Sequence, residues 1–450
     1  MQAPGMTTAE QMAALFSPDG HLRRMLAFEA ALARAEARVG VIPQEAAGAI
    51  ADACRVELYD PAAIFREAVT AGTPAIPLVK ALRAQVAEAW RDFVHLGATS
   101  QDVIDTALVL QMRDGLDLLD ASLLQLCEAC ARHAEQHRGT LMPGRTLLQQ
   151  AAPITFGLKA AHWLSMAVRQ VQSLRDCRGR NLVLQFGGAA GTLAALGDNG
   201  LRVAQALAEE LDLPLPDLPW HAERDRVATV ASAMGVTAGA MSKIAVDIVL
   251  LAQTEVGELS EGEAPGKGGS SAMPHKRNPV DATFALASSR LALGSVQVIL
   301  SAMQQEHERA AGGWQAEWQA VPDLFRHTAS SVAHTLNSVQ GLQVHPERMR
   351  ANLEQEGGLL MSEALAVALP PKLGRSKAQE VAGEVGRRAL EQGQTLAQAA
   401  AADGRVTGAL SPAEIKKALD PAAYLGSTSL FIDRALAAYR ALQEIRADRA

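Results

Sequence analysis

The sequence predicts an all-α protein with three helical domains, the central one a bundle of long helices. Three observations lead to this prediction. Alanine and leucine, both strong helix formers, dominate the 450 residues, and strand-like alternation of apolar and polar residues is almost absent. Apolar residues also recur at helical spacing over long segments. We expect the domain boundaries to give residues 1–105, 106–359 and 360–450.

The first domain is predicted to be a series of short helices. Thr7 and Glu10 form a capping-box pattern that opens the first helix. The stretch SPDG at 17–20 indicates a turn, and a helix is expected over 21–39, ended by Gly40. Proline is tolerated in the first turn of a helix, so further helices are expected to begin near Pro43, Pro61 and Pro77.

The second domain changes character from Thr106 onward. Its leucines spread over more than one helical face, which is typical of a helix surrounded by other helices. Further long helices are expected at about 155–177, 223–254, 280–303 and 320–341, packed as an antiparallel bundle. In the third domain the helices shorten again, and Ser411 to Glu414 forms another capping box.

Charge and cysteine content narrow the class of function. The formal net charge is −7 and no basic block is present, so the chain lacks the positive surface typical of nucleic-acid binding. No secretory signal is visible, and apolar runs such as 227–242 are interrupted before the roughly 20 residues that span a membrane. We therefore expect a soluble, cytoplasmic protein without a membrane partner.

The cysteines are too few for a disulfide framework. Cys127 and Cys130 lie inside a helical pattern without a second pair, so we expect thiols that face a helix core rather than a zinc or redox site. The other two cysteines are Cys54 and Cys177. The sequence contains no cluster of metal ligands and no cofactor motif, so neither a metal nor a cofactor is expected.

The segment GKGGSSAMPHKRNP, residues 266–279, combines three glycines with several cations and no acid. It is not a phosphate-binding loop of the nucleotide type, because Lys267 is followed by Gly268 instead of serine or threonine. Consecutive backbone N–H groups, with Lys276 and Asn278 close by, can instead hold an organic anion. A solvated surface loop is the alternative.

Four other segments hold candidate polar or glycine positions. HLGATSQDVIDTA (95–107) lies at a helix entrance, where its Ser, Thr and Asp could serve only as N-caps. GRTLLQQAAPITFGLK (144–159) is extended and bounded by prolines, and Arg145 could be a plain surface cation. WHAERDR (220–226) could bind a carboxylate through His221, Arg224 or Arg226, or form helix salt bridges. QFGGAAGTLAALG (185–197) does not fit a dinucleotide motif and indicates close helix packing.

The loop GSSAMPHKRNP resembles the signature of the fumarase/aspartase superfamily, and the other segments are similar to its remaining blocks over about residues 20–340. Within that superfamily, MLAFEAALARAEA (25–37), AIPLVKAL (75–82), VHLGATSQD (94–102), PWHAERDRV (219–227) and QEHERAAGGWQAEW (305–318) resemble the bacterial 3-carboxy-cis,cis-muconate cycloisomerases. The resemblance implies a homotetramer with about twenty long helices at its centre. It also implies active sites built from three subunits and a small polycarboxylate substrate.

The resemblance further implies roles for individual residues. Ser270 matches the catalytic serine. His95 is the second catalytic candidate, either orienting a carboxylate or assisting proton transfer, with a structural histidine as the alternative. Substrate-binding positions are Thr99, Ser100, Gln101, Arg145, Thr146, Gln149, Lys276 and Asn278. Accessory positions are Ser271, His275, Arg226 and His307, the last with Glu308 and Arg309 beside it as contributions from a neighbouring subunit.

One departure from the superfamily bears on the substrate. In the superfamily that the sequence resembles, many lyases have Thr-His at the position of Thr146-Leu147 in this chain. Leucine, unlike histidine, cannot transfer a proton. An amine leaves well only when protonated, which requires a general acid, whereas a carboxylate leaves as the anion of an acid with a pKa of about 4. We therefore expect conversion of 3-carboxy-cis,cis-muconate to 4-carboxymuconolactone, in the protocatechuate branch of aromatic degradation. The alternatives are an adenylosuccinate-type amine lyase and a non-catalytic scaffold.

Overall fold

The structure, a computed structural model, describes residues 6–263, 267–269, 272–273 and 275–447, without the side chains of 445–447. Within these residues the chain is predominantly helical, with only four short strands. The chain divides into two compact units. Unit 1 contains Met1–Leu123, Gln170–Ser242 and Phe284–His334, and unit 2 contains Leu124–Arg169, Lys243–Thr283 and Thr335–Ala450.

The N-terminal part consists of short and medium helices: α1 Thr8–Leu15, α2 Pro18–Val39, α3 Gln44–Ala53, α4 Pro61–Ala71 and α5 Ala75–Gln85. The predicted capping box is confirmed, because Thr7 Oγ1 accepts the Glu10 N–H at 3.3 Å and Glu10 Oε2 accepts the Thr7 N–H at 2.7 Å. The turn predicted at 17–20 is wrong. Ser17 Oγ accepts the Gly20 N–H at 3.1 Å and Pro18 occupies the first helical position, so these residues begin α2.

The long helices follow in the middle of the chain: α6 Ser100–Gln136, β1 Leu141–Thr146, β2 Gln149–Thr155, α7 Phe156–Asn181, α8 Gly200–Leu211, α9 Asp225–Leu251, β3 Leu259–Ser260, α10 Val280–Ser301 and α11 Gly313–Gln340. The four long helices predicted between 155 and 341 are all present. Helix α11 begins earlier than predicted and contains Pro322. Strands β1 and β2 pair antiparallel as a hairpin.

The C-terminal part returns to shorter elements: β4 Gln343–Val344, α12 Pro346–Glu354, α13 Ser362–Ala368, α14 Pro370–Leu373, α15 Arg375–Gln392, α16 Leu396–Ala402, α17 Gly404–Thr407, α18 Pro412–Ala418 and α19 Thr428–Ala447. The second predicted capping box is confirmed, with Glu414 Oε2 accepting the Ser411 N–H at 2.7 Å. Buried aliphatic residues such as Leu365, Val381 and Val385 form the core between α13 and α15.

The four cysteines form no disulfide bonds. Cys127 and Cys130 are buried within α6, and burial raises the pKa of the Cys130 thiol well above its ordinary value. A thiol with a raised pKa is a poor nucleophile and a poor metal ligand. The prediction of thiols packed in a helix core is confirmed for this pair.

Two helices, α9 and α10, are apolar enough to cross a membrane by length and composition alone. The core helix of a folded domain can have the same length and composition, so this property is only weak evidence for a membrane-spanning helix. In α9 the apolar run is interrupted by Lys243 and Asp247, which form an ion pair. In α10 only 22% of the most apolar stretch is buried, and Phe284 and Leu291 are 54% and 56% exposed.

Candidate active site

The glycine-rich loop of residues 266–279 leads into α10 and belongs to unit 2. The catalytic candidate Ser270 and its neighbour Ser271 lie outside the described residues. The two ends of the loop are joined, because the backbone N–H and the side-chain amide of Asn278 donate to the Gly268 carbonyl at 2.9 and 3.1 Å. Gly268 has a φ of +68°, a conformation that favours glycine. Asn278 thus closes the loop through its amide nitrogen, and its amide oxygen takes no part in this contact.

The base of the loop is fixed by acids. Lys267 Nζ lies 2.6 Å from Asp281 Oδ2 and 3.2 Å from Glu261 Oε2. Partial burial lowers the pKa of Lys267, but its hydrogen bond to Asp281 and the charge of Glu261 raise the pKa above its ordinary value. Glu261 also accepts the first backbone N–H groups of α10, at 2.8 and 3.1 Å. The other two candidates of the loop, His275 and Lys276, are exposed.

The second predicted block forms the hairpin of β1 and β2 in unit 2. Thr146 and Gln149 pair across a two-residue turn, Leu147–Leu148, whose φ values are +50° and +66°. A type I′ hairpin turn requires positive φ at both positions. Leu147 is 97% exposed and Leu148 73% exposed, and Thr146 and Gln149 are exposed as well. The tip therefore presents a hydroxyl, an amide and two leucines, none of which ionises near neutral pH.

Arg145 precedes this tip and is paired. Its two terminal nitrogens donate to Glu258 at 2.7 and 2.9 Å, and Glu258 is fully buried. Asn352 donates to the same carboxylate at 2.7 Å. Bidentate pairing fixes the guanidinium plane, so Arg145 is not the plain surface cation that the sequence left open.

In unit 1 the first predicted block begins α6, as expected for a helix entrance. The buried carboxylate of Asp102 accepts hydrogen bonds of 2.8–3.1 Å from five groups: the backbone N–H of Thr99, Gly187 and Gly188, the amide of Gln185 and the ring of His221. The contact with Thr99 is an N-cap contact, since Asp102 is the third residue of the helix. The cap interpretation of this aspartate is correct, and the same carboxylate also binds two other loops of the unit to the helix end.

Thr99 and Gln101 are brought together by Arg309. Arg309 Nε donates to Gln101 Oε1 at 3.2 Å, and one terminal nitrogen donates to Thr99 Oγ1 at 3.3 Å. Gln101 is buried and donates in turn to the carbonyl of His221 at 2.8 Å. Ser100, the first residue of α6, is partly buried beside them. Arg309, a candidate contribution from a neighbouring subunit, contacts the first block of its own chain.

Behind this group Arg224 is completely buried between two acids. Its guanidinium donates to Asp105 at 2.6 and 3.0 Å and to Glu317 at 3.1 Å. Burial raises the pKa of Glu317, and Arg224 offsets part of that rise. The salt-bridge interpretation therefore describes Arg224. Arg226, two residues further on, is partly buried and donates to the carbonyl of Arg180 at 3.1 Å, outside this network.

Two candidate histidines have left-handed backbones, which is uncommon for residues other than glycine. His95 has a φ of +61° and His307, which is exposed, a φ of +48°. His95 Nδ1 lies 2.6 Å from Glu29 Oε1. Burial lowers the pKa of His95, but the charge and hydrogen bond of Glu29 and the charge of Asp102 raise it above its ordinary value.

Comparison with known proteins agrees with this fold. Residues 5–297 match the family described as lyase, and residues 358–435 match the family described as adenylosuccinate lyase C-terminus. The chain belongs to this lyase family. The resemblance to the fumarase/aspartase superfamily that the signature loop indicated is thereby confirmed.

Individual relatives are more specific. The chain is 49% identical over 438 residues to a 3-carboxy-cis,cis-muconate cycloisomerase of Pseudomonas aeruginosa, covering 96% of this chain and 95% of the relative. It is 47% identical to a protein of the same name from Bradyrhizobium diazoefficiens, covering 96% and 97%. The crystal structure of the 3-carboxy-cis,cis-muconate lactonizing enzyme from Pseudomonas putida matches with a TM-score of 0.92 at 42% identity, covering 96% and 98%.

Proposed function

We propose that this protein is a cofactor-independent cycloisomerase that converts 3-carboxy-cis,cis-muconate to 4-carboxymuconolactone. The observation that carries the proposal is the hairpin tip, where residues 146–149 supply no group able to protonate a leaving amine. A carboxylate adds or leaves as an anion and needs no such acid. The 49% identity to the Pseudomonas aeruginosa cycloisomerase supports the same substrate.

The reaction begins when one substrate carboxylate adds to a carbon of the conjugated diene and forms the ring C–O bond. The electron pair of that double bond moves to the adjacent carbon and is delocalised into the carboxylate attached there. Lys276 and the backbone N–H groups of the glycine-rich loop stabilise this developing charge. Ser270 then donates its proton to the carbon, and solvent returns a proton to the serine.

Binding of the other substrate carboxylates falls to the remaining candidates. Arg309 is a cationic donor already held by Thr99 and Gln101. Arg145 has five N–H donors, of which two donate to Glu258 and one to the carbonyl of Pro143 at 3.4 Å, so the remaining two serve the substrate. The remaining polar contacts are assigned to Ser100, Thr146, Gln149 and the side-chain amide oxygen of Asn278.

The proposed function is tested by the loss of diene absorbance when purified protein meets 3-carboxy-cis,cis-muconate without added metal, beside a parallel assay with adenylosuccinate. We expect the muconate absorbance to disappear and adenylosuccinate to remain intact. Fumarate released from adenylosuccinate, with muconate unchanged, would identify an amine lyase instead. If both compounds remain unchanged, the cycloisomerase assignment fails.

The enzyme is further proposed to be a cytoplasmic homotetramer with domains 1–105, 106–359 and 360–450 and with active sites that combine residues of three subunits. Exposed apolar residues on α10 support association, since an exposed apolar stripe marks protein–protein contacts and Phe284, Leu291 and Val298 recur every seven residues along one side of the helix. These residues are Phe284, Leu291, Leu293, Val298 and Leu300, each at least 42% exposed.

Association through α10 predicts the effect of one charge. Leu291→Glu places a carboxylate on this surface, and we expect the assembly of four 47.5-kDa chains to give way to smaller species. The measurement is molar mass by light scattering after gel filtration. Leu390→Glu is the matched control, because Leu390 is 66% exposed on α15, away from α10 in sequence, and should leave the mass unchanged. A Leu291→Glu variant of wild-type mass would contradict the proposed interface.

A further inference from the structure

Two buried acids of α2 have no part in the site described so far. Glu29 and Glu36 are seven residues apart, so they lie on the same side of the helix, about 10.5 Å apart along its axis. Glu29 is 1% exposed and Glu36 is 0% exposed. Among the described residues, both oxygens of Glu36 and Oε2 of Glu29 have no hydrogen-bond partner. The remaining oxygen, Glu29 Oε1, contacts His95 Nδ1 at 2.6 Å.

Glu36 is the neutral member of this pair of acids. Burial, together with the charge of Glu29, raises the pKa of Glu36 to about 9, so its carboxyl group is protonated at pH 7. The Cys54 thiol is neutral as well, because burial and the charge of Glu29 raise its pKa, against a smaller opposite effect of Arg34. Arg34 itself pairs with Glu210 at 2.6 Å. Among the described residues, the ring of His95 is therefore the partner of the Glu29 carboxylate.

His95 is held between three helices by charge. Glu29 faces it from α2 and Asp102 from α6, and both favour the protonated ring, whereas Arg83 of α5 opposes it. The turn that carries His95 is also strained. A left-handed backbone costs a residue with a side chain about 1–2 kcal/mol, and the contact with Glu29 offsets this cost. Among the described residues, Glu29 is the one that hydrogen-bonds the ring, so Nε2 is the nitrogen left for a ligand.

We propose that Glu29 is the positioning residue of His95. It accepts the Nδ1–H, orients the ring so that Nε2–H is offered to a substrate carboxylate, and favours the cationic form of the ring. The nature of the ligand rests on the proposed function, whereas the pairing of Glu29 with His95 does not. Glu36 takes no direct part. Its carboxyl group is uncharged, so it does not compete with His95 for the negative charge of Glu29.

The pairing is tested first without any substrate. Nitrogen-15 NMR of histidine-labelled protein, with the His95 signals assigned from a His95→Gln variant, gives the titration midpoint and the tautomer of the ring. In wild type we expect a midpoint above 6.5 and a proton retained on Nδ1 above that midpoint. Glu29→Gln keeps the shape of the side chain and removes its charge, and should lower the midpoint by at least one pH unit, a tenfold loss of proton affinity. An unchanged midpoint, or a wild-type ring protonated on Nε2 alone, overturns the proposal.

The second readout is kinetic and uses the same variants with 3-carboxy-cis,cis-muconate. Since the ring of Glu29→Gln loses its proton at lower pH, the alkaline limb of kcat/KM should move to lower pH by the same interval as the NMR midpoint, mainly through KM. Glu36→Gln is the matched control from the same helix face and should change neither the midpoint nor the kinetics. A shifted midpoint with an unshifted pH profile overturns the positioning role.

Failure of the proposed function gives a different result, because a wild-type protein without muconate turnover still reports on the pairing through NMR. If Glu29→Gln does not fold, Glu29→Asp replaces it in the test. This variant retains the charge, but its side chain is one methylene shorter and places the carboxylate farther from His95. It should lower the midpoint by a smaller interval. The tautomer of wild-type His95 tests the pairing without any substitution of Glu29.

Discussion

Replacing Ser270 by alanine is expected to lower kcat by about 10²–10⁴-fold, the usual contribution of a positioned acid or base. Under the proposed mechanism the variant still binds the substrate and still forms the ring C–O bond reversibly, but it lacks the group that protonates the carbanion. The loss should appear in kcat and leave KM little changed. Initial rates from the decay of diene absorbance measure both constants.

The control for this variant is a change elsewhere in the same loop. Met273→Leu alters an exposed side chain and conserves its volume and apolar character, so turnover should stay within about twofold of wild type. Circular dichroism and molar mass should be the same for wild type and both variants. A Ser270→Ala enzyme with kcat within tenfold of wild type would remove Ser270 from the proton transfer.

The largest effect on stability is expected from Arg224. Arg224→Met would leave Asp105 and Glu317 buried without the cation that lies between them. Removing one partner of a buried ion pair costs about 3–5 kcal/mol, because the remaining charge is buried without compensation. The free energy of unfolding, measured by urea titration at pH 7, should fall by that amount.

Two further variants define the origin of this loss. Arg226→Met changes the same residue type two positions away, at a partly buried site where the side chain donates one hydrogen bond to a backbone carbonyl. It should lower the free energy of unfolding by no more than about 1 kcal/mol, the usual net contribution of such a bond. Arg224→Lys keeps the charge, but lysine cannot form bidentate hydrogen bonds with both carboxylates. We therefore expect an intermediate loss in the free energy of unfolding. Equal stability of wild type and Arg224→Met would show that the buried pair contributes nothing.

Much of the helical architecture could be predicted because its signals are local. The capping boxes at Thr7 and Ser411 need only four residues each, and the long helices show their periodicity over several turns. The error at 17–20 has the same local origin. Ser-Pro-Asp-Gly suits a turn, but serine is also a preferred N-cap and proline a preferred first helical residue.

The partners within the site could not be predicted in this way, because they depend on contacts between distant segments. Gln101 was recognised as a binding candidate, but its contact with Arg309 joins residues 208 positions apart. Glu29 gave no signal, since an acid among alanines and arginines is typical of an exposed, salt-bridged helix face. Only the fold shows that α2 buries this side chain and aims it at His95.

The hairpin tip has a consequence for the behaviour of the enzyme in dilute solution. Asparagine and glycine are the residues that suit a type I′ turn, whereas each left-handed leucine costs about 1–2 kcal/mol. Leu147 and Leu148 therefore weaken the isolated hairpin and leave it apolar surface that water solvates poorly. Burial of the two leucines against another chain would offset the conformational cost of the turn. The order of the tip therefore depends on association of the chains, and so on protein concentration. Specific activity should then depend on enzyme concentration, falling at dilutions where the subunits separate, although no residue of the chemistry has changed.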